Sequence, residues 1–66
     1  MKIVNMSQLS QTQIIQAAQI LTDSLPKGWP TLQHAMEEIE ALLVPGNTLL
    51  AAVENDEVIG WGGILA

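Results

Sequence analysis

The stretch that most constrains this chain is residues 47–65, NTLLAAVENDEVIGWGGIL. Two β-leaning runs, residues 48–53 and 58–65, flank a short polar centre, Glu54-Asn55-Asp56-Glu57. Asn and Asp tolerate positive φ, so the pattern predicts a hairpin that turns there. A two-residue loop at Asn55-Asp56 sets Val53 opposite Val58, Ala52 opposite Ile59 and Leu50 opposite Trp61. It also sets Glu54 against Glu57, a like-charge pair that is destabilising. A four-residue loop relieves the repulsion and keeps the other pairs, so the register is better determined than the turn type.

Strand neighbours alternate between faces. In this register one face carries Leu49, Ala51, Val53, Val58, Gly60 and Ile64, and the other carries Leu50, Ala52, Ile59, Trp61 and Leu65. Neither is polar, whereas an antiparallel hairpin with one solvated side alternates apolar and polar residues. The hairpin is therefore expected mid-sheet with cover on both sides. Gly60, Gly62 and Gly63 weaken a strand and mark a bulge or a close backbone approach.

Sixty-six residues allow one domain, residues 1–66, and a chain of this length buries only about 60% of its unfolded surface. There is no cysteine, which excludes a disulfide framework and a thiolate metal site. The net charge is −5, with two lysines and no arginine. That balance argues against nucleic acid and anionic membrane surfaces, which cationic residues bind. It suits a cationic ligand, or serves solubility alone. No segment is long and apolar enough to span a bilayer and no signal-peptide pattern opens the chain, so a cytoplasmic location is expected.

Residues 1–6 (MKIVNM) form a short strand candidate, with Ile3 and Val4 on opposite faces. Ser10 is placed to cap a helix, with Gln13 at the capping-box spacing. Ile14, Ala17, Ala18, Leu21 and Leu25 recur at helical spacing, while Gln11, Gln16 and Gln19 take other directions. Pro26 ends this helix, and Lys27-Gly28-Trp29-Pro30 is a loop. Thr31 caps a second helix, in which Leu32, Ala35, Met36, Ile39, Leu42 and Leu43 make the cleanest amphipathic pattern of the chain. Pro45-Gly46 stops it. The predicted order is strand, helix, helix, strand, strand.

The chemical inventory is thin. His34, Glu37 and Glu38 lie three and four residues apart and share a helical face turned away from the apolar stripe. They read either as a polar lining for a cationic substrate or as a solvated helix face. No second cluster completes a metal site around them, so no metal is expected. Trp29, in the loop, either stacks on a ligand or plugs the gap between two helices. Ser and Thr residues have no base partner beyond His34, so no catalytic triad and no catalytic residue is assigned. Gly60-Trp61-Gly62-Gly63 opens no helix and makes no phosphate cradle.

The stretch from Gly28-Trp29-Pro30 through Met36-Glu37-Glu38-Ile39-Glu40 to residues 49–64, LLAAVENDEVIGWGGI, resembles the opening of a GCN5-related N-acetyltransferase (GNAT). More narrowly, it resembles the aminoglycoside 6'-N-acetyltransferase branch, through the Trp-Pro pair followed by an acidic helix. The resemblance covers nearly the whole chain. It implies an α+β fold, a three-stranded antiparallel sheet with two helices, as a truncated GNAT fold. It implies acetyl transfer from acetyl-CoA, the co-substrate, to a primary amine. The acceptor would lie against the two helices and their loop, which assigns Trp29, His34, Glu37 and Glu38 to substrate binding.

The family's fourth strand, its Gln/Arg-x-x-Gly-x-Gly/Ala pyrophosphate loop and the helix that receives the phosphates do not occur in these 66 residues. The expectation is therefore an acceptor-side fragment, inactive alone, with no cofactor-binding residue and no acetyl-CoA bound by the fragment itself. The alternative is a small self-associating or partner-binding module without catalysis. In either case a homo-oligomer is expected, joined through the strand edge at residues 58–65, through an uncovered sheet face, or both.

Overall fold

Each helix begins at the hydroxyl residue expected to cap it. The computed structural model, which describes residues 1–25 and 27–65, places α1 at Gln11–Ser24 and α2 at Leu32–Leu42. Ser10 Oγ accepts from the Gln13 amide at 3.2 Å, and Gln13 Oε1 accepts from the Ser10 amide at 3.0 Å, completing the capping box. Thr31 Oγ1 accepts from the His34 amide at 3.2 Å. The stop expected at Pro26 lies outside the described residues; α1 ends at Ser24, with Leu25 as its C-cap. Leu25 was expected in the apolar stripe but is 52% exposed, because the chain has already left helical geometry. Every member of the α2 stripe packs into or against the core. Past its end, Asn47 Nδ2 donates to the Leu42 carbonyl at 3.0 Å, and Gly46 turns the chain with φ 98°.

Three strands, β1 (Lys2–Asn5), β2 (Thr48–Glu54) and β3 (Glu57–Ile64), form an antiparallel sheet in the order β1-β2-β3. The class is α+β, with the predicted element order. β1 is shorter than residues 1–6 because Met6 already belongs to a 3₁₀ turn, Met6–Gln8, that buries its side chain. Ile3 and Val4 do take opposite faces, Ile3 exposed and Val4 against the core. The hairpin turns in two residues, Asn55 at φ 51° and Asp56 at φ 64°, both in the left-handed region that a type I′ turn requires. The four-residue loop is not adopted. Glu54 stands opposite Glu57, and both are exposed to water, which screens the pair.

The register beyond the turn differs from expectation. Val53 pairs with Val58, but then Ala52 pairs with Gly60, Ala51 with Trp61 and Leu50 with Gly62. Ile59 is the extra residue of a β-bulge. The pairs Ala52–Ile59 and Leu50–Trp61 do not form, and the two faces exchange members from that point. Trp61 joins Leu49, Ala51, Val53 and Val58 on the inner face, while Gly60 moves to the outer one. The bulge carries the large indole to the side that can bury it, where its Nε1 donates to the Ala17 carbonyl at 2.8 Å.

Ala17 and Ala18 of α1 and Ala35 and Ile39 of α2 are completely buried, and Met6, Ala51 and Leu49 nearly so. Three alanines among the helix contacts let the helices lie close to each other and to the sheet. All of this cover falls on the inner face. On the outer face Ile3 is 59% exposed, Leu50 43%, Ile59 51% and Ile64 77%. The hairpin is therefore not mid-sheet with cover on both sides: β2 is central, β3 is an edge, and among the described residues only one face is covered.

Gly63 and Gly62 separate two structural demands. A Cβ at Gly63 would collide with the Leu49 side chain and the Thr48 carbonyl, whereas one at Gly62 meets open space. Gly63→Ala is predicted to lower the unfolding free energy by about 1–3 kcal/mol through overpacking. Gly62→Ala should leave it unchanged or raise it slightly. Urea titration of both variants checks this, and equal effects would contradict the path drawn for the end of β3.

Candidate functional site

The loop between the helices is built on one carbonyl. Leu25 O accepts from the amides of Gly28 at 3.2 Å and Trp29 at 3.0 Å, so the chain reverses tightly after α1. Thr22 Oγ1 donates to the Thr31 carbonyl at 3.3 Å, which ties the last turn of α1 to the start of α2. Held between these bonds, Trp29 is half-buried and packs against the core. Its remaining surface, with Ser24, Leu25, Lys27 and Gly28, lines an apolar recess of about 360 Å³. Trp29 thus fills the gap between the helices and also forms one wall of an open, ring-sized depression.

The other expected site residues lie elsewhere on this layer. His34 and Glu37 of α2 are exposed and Glu38 is half-buried. Among the described residues, the lining of the Trp29 recess includes none of the three. The structure therefore does not gather Trp29, His34, Glu37 and Glu38 into one pocket. Glu37, exposed, and Glu38, half-buried, lie on the flank of α2, within the same helix pair as the recess.

Several groups that could serve chemistry are already engaged. The Ser10 and Thr31 hydroxyls cap helices, and the Thr22 hydroxyl bonds the interhelical loop. At each helix N-terminus the cap side chain takes one first-turn amide, Gln13 in α1 and His34 in α2. Among the described residues no group of three His, Cys, Asp or Glu side chains is placed to hold a metal ion, and no helix is long and apolar enough to cross a membrane.

Two glutamines of α1 also reach the hairpin, Gln13 beyond its capping role and Gln16 from outside the apolar stripe. Gln13 Nε2 donates to the Asp56 carbonyl at 3.2 Å, and Gln16 Oε1 accepts from the Val58 amide at 2.9 Å. Helical spacing turns Gln16 away from the apolar stripe. Its position one residue from Ala17, which is buried, was the available sign that its long side chain borders the sheet.

Comparison of the chain with family models, with curated proteins and with solved structures finds no match.

The contrast between Trp29 and the α2 flank predicts different stability effects. Trp29→Ala should destabilise by about 2 kcal/mol, below the range for a fully buried aromatic. His34→Ala and Glu37→Gln, both at exposed positions, should each change stability by less than roughly 0.5 kcal/mol. Thermal or urea denaturation decides; a neutral Trp29→Ala would remove the plugging role.

Proposed function

We propose that these 66 residues are the N-terminal, acceptor-side part of an acetyl-CoA-dependent N-acetyltransferase of the GNAT superfamily, acting on a primary amine of the aminoglycoside type. The observation that carries this reading is the chain order strand, helix, helix, strand, strand folded as a β1-β2-β3 antiparallel sheet with the helix pair on one face. That is the arrangement the sequence resemblance implies. The recess at Trp29 supports an acceptor role, since an aromatic wall suits the apolar face of a sugar or cyclohexane ring. The net charge of −5 and the carboxylates of Glu37 and Glu38 on the adjoining helix favour an amine that carries positive charge.

The residues present do not fit acetyl-CoA itself. There is no arginine and no Gly-rich loop opening a helix. The chain is therefore assigned the acceptor side alone, with no catalytic step and no general base. A second reading, a non-catalytic module that associates with itself or a partner, draws support from the apolar outer face of the sheet.

The coding frame offers a direct test. A frame that continues past residue 66 into a fourth strand and a Gln/Arg-x-x-Gly-x-Gly/Ala loop supports the acetyltransferase reading; a stop codon there overturns it. Calorimetric titration of the 66-residue chain with acetyl-CoA is expected to show no binding at micromolar concentration, and a micromolar dissociation constant would refute the assignment to the acceptor side alone. In a protein that also carries the acetyl-CoA segments, Trp29→Ala should raise KM for the amine and leave KM for acetyl-CoA nearly unchanged. Equal effects on both would make Trp29 a structural plug only.

A further inference from the structure

The Trp29 recess is selective in what it can hold. Among the described residues its lining is Ser24, Leu25, Lys27, Gly28 and Trp29, which includes no carboxylate; its one charged group is the Lys27 ammonium. The loop's own amides are spent, since those of Gly28 and Trp29 both donate to the Leu25 carbonyl. The Thr22 hydroxyl is likewise taken by the Thr31 carbonyl. The recess thus offers a guest apolar surface and little that would compensate an ammonium group for lost water.

We propose that the recess takes one uncharged ring of the acceptor, and that the acceptor's ammonium group stands on an arm that leaves the recess. This rests on the acceptor reading of the site and narrows it. Size agrees: the volume of about 360 Å³ lies near the small end of the ~300–1,000 Å³ usual for ligand pockets. An apolar cavity of ~150 Å³ already admits benzene, so one six-membered ring has room. The recess also stands ready before a ligand arrives. The bonds on the Leu25 and Thr31 carbonyls hold the loop, and Trp29 is fixed against the core, so seating a ring costs little ordering.

Charge decides where the nitrogen goes. An ammonium group on the ring itself would lose water beside the like charge of Lys27. The pull of an indole face on cations is opposed by that same lysine. Glu37 and Glu38 lie outside the lining, on α2 of the same helix pair. An arm out of the recess carries the ammonium into water, where those carboxylates favour it.

Three probes with one ring and different charges test this on the 66-residue chain by nuclear magnetic resonance. The chain has two indole N–H groups; that of Trp61, bonded to the Ala17 carbonyl, reports that the fold is intact. Cyclohexylmethylamine is expected to shift the Trp29 signal, leave that of Trp61 in place, and bind at least about tenfold tighter than 1,3-diaminocyclohexane, whose ammonium groups sit on the ring. Lys27→Gln, at an exposed position, should tighten the diamine roughly threefold and leave cyclohexylmethylamine nearly unchanged. A diamine that binds the wild type as tightly as the monoamine overturns the inference and leaves the acceptor reading standing. Cyclohexanecarboxylate binding tightest of the three overturns both. No Trp29 shift with any probe at millimolar concentration overturns the ring site alone, and the coding frame still decides the acetyltransferase reading.

Discussion

The structure depends on how α1 grips the hairpin. Three polar contacts join one face of the helix to β3 and its turn: Gln13 to the Asp56 carbonyl, Gln16 to the Val58 amide, and the Trp61 indole to the Ala17 carbonyl. Positions 13, 16 and 17 share one helical face, so a single helix orientation makes all three. Each bond contributes about 0.5–1.5 kcal/mol net, and a buried partner left unpaired costs more than that. The register of β3 is therefore set by the helix as much as by the facing strand. Slipping the hairpin by one residue would expose the indole and orphan both glutamines.

That dependence explains which parts of the fold were legible. The helix caps, the α2 stripe, the α1 stripe up to Leu21, the order of elements along the chain and the position of the turn follow from local chemistry, and they read directly; the two-residue form of the turn and the place of β1 in the sheet did not. The bulge does not. A one-residue slip is normally betrayed by an apolar residue moved to a polar face, but here both faces of the hairpin are apolar and the alternation carries no register signal. Gly60, Gly62 and Gly63 announced an irregularity without saying that Ile59 was the extra residue. What chooses Ile59 is the need to bury Trp61 against α1, a contact between segments more than forty residues apart in the chain.

The candidate site was legible to a smaller degree. Helical spacing placed His34, Glu37 and Glu38 together on α2, and the two prolines around Gly28-Trp29 placed the indole in a loop. Sequence spacing says which residues share a helix face; it does not say what that face looks onto. Trp29 turned inward far enough to join the core while keeping one surface for the recess, a division set by the Leu25 carbonyl and the Thr22–Thr31 bond. Glu37 lies exposed on the flank of α2 and Glu38 half-buried beside it.

The position of β1 carries a consequence for how the chain assembles. Ile3 pairs with Ala52 and Asn5 with Leu50, so β1 waits for a strand more than forty residues further along the chain. The hairpin closes locally through its two-residue turn, and both helices can form from neighbouring residues, but β1 must close a loop that contains them all. On the ribosome β1 emerges ahead of β2, its neighbour in the sheet, and cannot pair with it until residues 48–54 have cleared the exit tunnel. Until then Met6, buried in the finished molecule, stays uncovered. A strand made before both helices is thus seated only after them, on the edge of β2 away from the hairpin.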